Sequence, residues 1–228
     1  MRYLLTLSLL FFTCGLADAD FLLNGSFEDV PNSNIGQGLM PSDWEAIQVT
    51  PDTYSNDGSY GLSPNAFNNF TGVTAQDGIR WLAGAHGPTN GIGIEAFGQN
   101  LVSTLIDGLD YEISGYIHHS TNPGHDTAGG FDIYLNSTDS LAGATLLGSF
   151  DPTTIEDWEF RSFQFTAPTG AIDLDWIIFA PYSTGSTSTY PGLDNVVLTY
   201  ATGIPEPTMI PALGFAFGWI AFRRRRIR

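Results

Sequence analysis

The chain contains no lysine, and its central stretch contains no cysteine. The one cysteine, Cys14, lies in an N-terminal apolar segment, so residues 20–203 use neither disulfides nor thiol chemistry. That stretch carries two arginines, Arg80 and Arg161, against 22 acidic residues, a formal charge of −20. A surface this acidic repels nucleic acid and anionic lipid, and attracts cations, calcium above all. Plain acidic solubilisation accounts for the same composition. Also missing are Gly-x-Ser-x-Gly, His-Glu-x-x-His and a phosphate-binding loop. No catalytic residue is therefore expected and the chain reads as not an enzyme. Its many carboxylates alone leave a glycosidase pair open, but such a pair needs a cleft and two differently tuned acids.

Three segments stand out. Residues 1–19 have Arg2 as a small positive region, an apolar core over 4–16, and Ala17-Asp18-Ala19 as a cleavage site. They read as a signal peptide with the mature start near Asp20. Residues 20–203 are long enough for one domain with a real core. Residues 204–228 hold Pro205-Glu206-Pro207, an apolar run over 209–222 broken by Pro211, and the cluster Arg223, Arg224, Arg225 and Arg226. The run is shorter than the ~20 residues of a comfortable membrane span. The arginines would stay on the cytoplasmic side.

Within the body, Gly, Asn, Ser, Thr and Pro punctuate short apolar or alternating segments at 91–97, 111–118, 131–135, 159–165, 172–179 and 193–200. Over 159–165 a period of two puts Arg161, Phe163 and Phe165 on one face. Many short strands joined by turn chemistry predict an all-β antiparallel sandwich. The Ser/Thr/Gly tract at 183–189 reads as a surface loop.

Two resemblances rest on particular residues. Ile204-Pro205-Glu206-Pro207, the apolar segment and the arginine cluster resemble the PEP-CTERM sorting tail of bacterial exported proteins. That resemblance implies retention in the inner membrane, processing by an exosortase, release to the cell surface or matrix, and association with exopolysaccharide in a biofilm. The body resembles the galactose-binding-like jelly roll of carbohydrate-binding modules. The matching pieces are Asn24-Gly25-Ser26-Phe27-Glu28, Pro41-x-x-Trp44, Gln99-x-Leu101 with Gly108-x-x-Tyr111, Trp158 with Phe163-x-Phe165, and Asp194-Asn195-Val196-x-Leu198. The resemblance implies a structural calcium near the junction of first turn and last strand, with Glu28 and Asp194 as side-chain ligands and the backbone of Asn24 to Ser26 as a further contributor. Capping hydrogen bonds at that junction are the alternative.

A glycan face needs exposed aromatic rings beside polar side chains. Tyr54, Arg80, Trp81, Tyr182 and Tyr190 are the candidates, although aromatics in sandwiches also serve as core. Trp44, Trp158 and Trp176 read as core. His118, His119, His125 and Asp126 could suggest a transition metal. Adjacent strand residues point to opposite faces, however, so these histidines read as a solvated loop. The expected function is non-catalytic association with extracellular polysaccharide. The alternatives are a structural or adhesive matrix protein without a sugar ligand and an extracellular glycan-active enzyme.

Overall fold

The computed structural model describes residues 20–87, 93–185 and 187–201. The expected signal peptide and sorting tail lie outside the described residues. Among these residues no helix is long and apolar enough to cross a membrane.

Twelve strands follow in chain order: β1 (Glu45–Gln48), β2 (Asp52–Ser55), β3 (Arg80–Ala83), β4 (His86–Gly87), β5 (Gly93–Ile94), β6 (Ala96–Asn100), β7 (Asp110–His118), β8 (Gly129–Asn136), β9 (Thr145–Thr153), β10 (Glu159–Thr166), β11 (Trp176–Ser183) and β12 (Gly192–Tyr200). Two five-stranded sheets face each other, in the orders β1-β6-β11-β8-β9 and β10-β7-β12-β3-β2, and β4-β5 form a small ladder. The strand pairs within these sheets are antiparallel. This is the all-β antiparallel sandwich that the turn pattern predicts, with the jelly-roll architecture that the resemblance implies.

Alternation decides which side chains enter the core between the sheets. Ile113 and Ile117 of β7, Leu193 and Leu198 of β12, and Phe131, Ile133 and Phe179 of the opposite sheet fill it. On β10, Phe163 and Phe165 face inward while Phe160 is exposed, as the period of two requires. Gly148 on β9 leaves room for Phe163 from the other sheet, since a Cβ there would sit 2.5 Å from its ring.

The chain start forms no strand, although residues 21–28 read as one. Phe21 N–H donates to Leu198 O at 2.9 Å and Val196 N–H to Gly25 O at 2.8 Å, so an irregular segment runs beside β12. Gly25 is there because a Cβ would come within 2.0 Å of Val196 O. Asn24 (φ 47°) makes the turn. Its side-chain amide donates to Asp29 O and Ser42 O, and its carbonyl accepts the Trp44 indole N–H at 3.0 Å. The first two motifs of the sequence are thus one hydrogen-bonded unit, with Trp44 buried against Phe27 and Phe97.

Other expectations shift. Residues 171–173 form a 3-10 turn, so the strand expected from 172 starts at Trp176, and Trp176 itself is half-buried. The segment expected as one strand over 91–97 breaks at Glu95. Trp158 is half-buried at a loop edge, its indole donating to Thr74 O at 2.7 Å.

A second, smaller core lies on the far face of the second sheet. Residues 56–79 cross that face and bury Tyr54, Phe70, Trp81 and Tyr190. Tyr54 and Trp81 stack with centroids 5.5 Å apart, and Phe70 meets both edge-on.

Candidate functional site

Glu28 and Asp194 fasten the crossing segment to the sandwich. Glu28 Oε1 accepts the N–H groups of Ile79 and Arg80 at 2.8 and 2.7 Å, and its Oε2 meets the Arg80 guanidinium at 3.1 Å. Asp194, fully buried, takes Gln76 and Asp77 N–H groups on Oδ2 at 2.8 and 3.1 Å and Asn195 N–H on Oδ1 at 2.7 Å. Burial pushes the Asp194 carboxyl up to about 8, against the pull of these N–H donors, and the nearby Glu28 charge adds to the rise. Calcium wants 6–8 oxygens turned toward it. Here the carboxylate oxygens face N–H donors, and Asn24 is spent on its own turn. Among the described residues, no group of three or more His, Cys, Asp or Glu side chains is set to hold a metal. The residues fit an amide staple rather than a cation cage.

Of the residues expected to form a glycan face, Tyr54, Trp81 and Tyr190 come together, but inside the second core rather than on a surface. On β2 and β3, Tyr54 and Trp81 point to the outer face of the sheet, which residues 56–79 then cover, and Tyr190 joins them from the segment before β12. Arg80 is held by Glu28 and by Ser59 Oγ at 3.0 Å. Tyr182 sits half-buried on β11 of the other sheet, apart from the rest. The histidines are not solvated either. His118 packs against Phe70 and Trp158, and His118 and His119 are both buried. Burial lowers the pKa of each of these two and of His125.

What the second core does position is a pocket of about 220 Å³ at the end of the sandwich where β7 finishes. Its walls are Gln37, Asp52, Phe67, Asn69, Ala85, Glu95, Asn122, His125 and Tyr190. Asp52 comes from β2, Glu95 from the break before β6, and Tyr190 from the approach to β12. Asp52 is held on both oxygens, by Gly38 N–H at 2.8 Å and Tyr190 O–H at 2.7 Å. Glu95 Oε2 accepts Ala85 N–H at 2.8 Å. Burial raises both carboxyls. Glu95 reaches about 7, with the Asp52 charge adding to the rise. Burial also lifts Tyr190 well above the usual phenol range.

The rim is a chain of amides. Asn69 Nδ2 donates to Tyr54 Oη at 3.0 Å, and Asn122 Nδ2 donates to Asn69 Oδ1 at 3.1 Å and to Phe67 O at 3.0 Å. Phe67 is held at φ 54° and is 58% exposed, an aromatic ring presented to solvent beside polar groups. His125 leans over Tyr190, with centroids 5.4 Å apart, and its Nδ1 lies 3.1 Å from Ser188 Oγ. Sequence reasoning missed Phe67, Asp52 and Glu95. The one available signal was Glu95 itself, a lone carboxylate inside the apolar run 92–97.

No protein-family model and no curated protein matches the sequence. Solved structures match its fold. A cyclase from Fischerella sp. TAU superposes with a TM-score of 0.54 at 17% identity, covering 83% of this chain and 100% of its own. The same source's cyclase in complex with 4-(1H-indol-3-yl)butan-2-one gives 0.54 at 15% identity, over 82% and 100%. The CBM22-1 xylan-binding domain of Paenibacillus barcinonensis Xyn10C gives 0.50 at 13% identity, over 82% and 98%. The expectation that the chain is not an enzyme is thereby corrected. The cyclase covers this architecture over its whole length, so the fold itself does not exclude catalysis. The chain is a β-sandwich structurally related both to carbohydrate-binding modules and to cyclases.

Proposed function

We propose that this is an exported domain that binds extracellular polysaccharide through the pocket at the end of β7. In this reading the C-terminal tail holds it at the inner membrane until an exosortase-type enzyme releases it to the surface or matrix. The observation that carries the binding role is the exposed Phe67 ring set beside the Asn69–Asn122 amide chain and two carboxyls. Sugars offer apolar ring faces and polar edges, and a ring flanked by amides and acids matches both. Phe67→Ala is expected to weaken binding of a soluble oligosaccharide ligand roughly tenfold without lowering Tm, because an exposed side chain contributes little to folding. Titration calorimetry against a panel of neutral and amino-sugar oligosaccharides, paired with a melting curve, checks this. Unchanged affinity in the variant removes Phe67 from the site.

A second reading has its own support. Glu95, with a pKa raised to about 7, is partly protonated at neutral pH, while Asp52 is locked by Gly38 and Tyr190. Burial raises both carboxyls, and two such groups in one cleft are candidates for acid–base chemistry on a bound glycan. If a bound oligosaccharide is cut, Asp52→Asn is expected to cut it at least roughly a hundredfold more slowly. Product analysis by mass spectrometry reads this, and cleavage at the wild-type rate in the variant would count against the pair.

A further inference from the structure

We infer that the pocket selects glycans bearing free amino groups: its ligand is an amino sugar whose ammonium sits between Asp52 and Glu95. This rests on the glycan reading above and names the charge class of that glycan.

The body is poor in cations. Residues 20–203 contain two arginines and no lysine. Both arginines are occupied, Arg80 with Glu28 at 3.1 Å and Arg161 with Glu159 at 3.0 Å. Neither lines the pocket. A uronate, sulfate or phosphate on a ligand would therefore meet two carboxyls, neutral amides and a histidine whose burial disfavours its charge. Like charges brought together out of water are strongly unfavourable.

The same pocket is short of positive charge. Asp52 and Glu95 oppose each other's ionisation, and among the described residues their donors are two N–H groups and one phenol, all neutral. An ammonium entering here gains charge-assisted hydrogen bonds to both carboxylates and relieves their repulsion. The space, about 220 Å³, is far larger than a bare ion needs, and the Phe67 ring at its mouth offers an apolar and π-face to whatever carries the ammonium. A sugar ring with an amino substituent satisfies all three features at once. The body's charge of −20 adds long-range attraction for a polymer of such units.

The test is calorimetric titration of the full-length protein, in mild detergent at pH 7, with the β-1,4-linked glucosamine tetramer and the matching N-acetylglucosamine tetramer. The amino tetramer is expected to bind at least about tenfold more tightly. Glu95→Gln should erase that preference. Glu45→Gln, which removes the same charge from an exposed site on β1, should leave it intact. Equal affinity for the two tetramers, lowered in both by Phe67→Ala, overturns the amino-sugar inference and leaves glycan binding standing. Equal losses in Glu95→Gln and Glu45→Gln overturn it too, because a diffuse field would then be responsible. Tetralysine binding as tightly as the amino tetramer overturns the sugar assignment. No binding of either tetramer, by protein with a normal melting curve, overturns the inference; the failure reaches glycan binding itself if the neutral oligosaccharides of the wider panel are also ignored.

Discussion

Asp194→Ala is expected to lower the unfolding free energy by roughly 2–4 kcal/mol near pH 6, the largest effect of any single acidic residue in this protein. The carboxyl is fully buried and accepts three backbone N–H groups, two of them from the segment that crosses the second sheet. Alanine leaves Asn195 N–H without its partner under the sheet and unfastens residues 76 and 77. The loss is below a simple sum because Asp77 is exposed and water can replace part of it. The sign of the pH dependence follows from burial. Below its ordinary value of 3.8 the carboxyl is protonated in both folded and unfolded chains. Above 3.8 the unfolded chain releases the proton, whereas the folded chain keeps it until about 8. The folded state therefore binds more protons across that window, and stability falls as pH rises through it, by up to about 1.4 kcal/mol per pH unit, levelling off above 8. Urea unfolding at pH 5, 6.5 and 8, on the wild type and Asp194→Asn, isolates this share: the difference between the two proteins should shift steadily with pH. A difference that stays constant would show that Asp194 keeps its charge inside the fold.

Trp81→Ala should cost roughly 3–5 kcal/mol, and it should also weaken ligand binding although Trp81 does not line the pocket. Trp81 is the hub of the second core, stacked on Tyr54 and edge-on to Phe70 and Trp158. Tyr54 accepts the Asn69 amide, and Asn69 accepts that of Asn122, so a collapse under Tyr54 reaches the rim directly. Among the described residues, the buried indole N–H of Trp81 has no hydrogen-bond partner. Trp81→Phe keeps an aromatic disc and removes that orphan donor, so it should cost less than about 1.5 kcal/mol and spare the ligand site. Chemical denaturation of both variants, with binding measured alongside, separates packing from contact. If Trp81→Phe is as damaging as Trp81→Ala, the indole itself has a partner not accounted for by this arrangement.

Much of the sandwich is legible in the sequence because a half-buried strand writes its burial at every second residue. Residues 111–118, 131–135, 159–165 and 193–200 all fall within observed strands. β9 was not legible. It is an edge strand, and edges tolerate the Gly148 and Pro152 that make it read as a turn. β2 and β3 escaped for a different reason. Both of their faces are buried, one by the main core and one by residues 56–79, so no alternation marks Asp52–Ser55 or Arg80–Ala83. That same covering explains the misplaced glycan face. Tyr54 and Trp81 are outward-facing by strand register, and they and Tyr190 are inward by virtue of a long connection whose path no local pattern reveals. The pocket suffers likewise, since Asp52, Phe67, Glu95, Asn122 and Tyr190 are far apart in sequence and meet only through topology.

The direction of β7 sets the polarity of the molecule. Its first residue, Asp110, accepts the N–H of Ala201, where the described body ends, and the neighbouring Tyr111 ring packs against Phe21, where the body begins. Its last residue, His118, eight positions and roughly 26 Å further on at about 3.3 Å per residue, leads into the loop that supplies Asn122 and His125. The two ends of the described body and the pocket therefore occupy opposite poles. If the body is held through either end, its pocket faces away from the attachment, and neither attachment nor release requires the pocket to be uncovered.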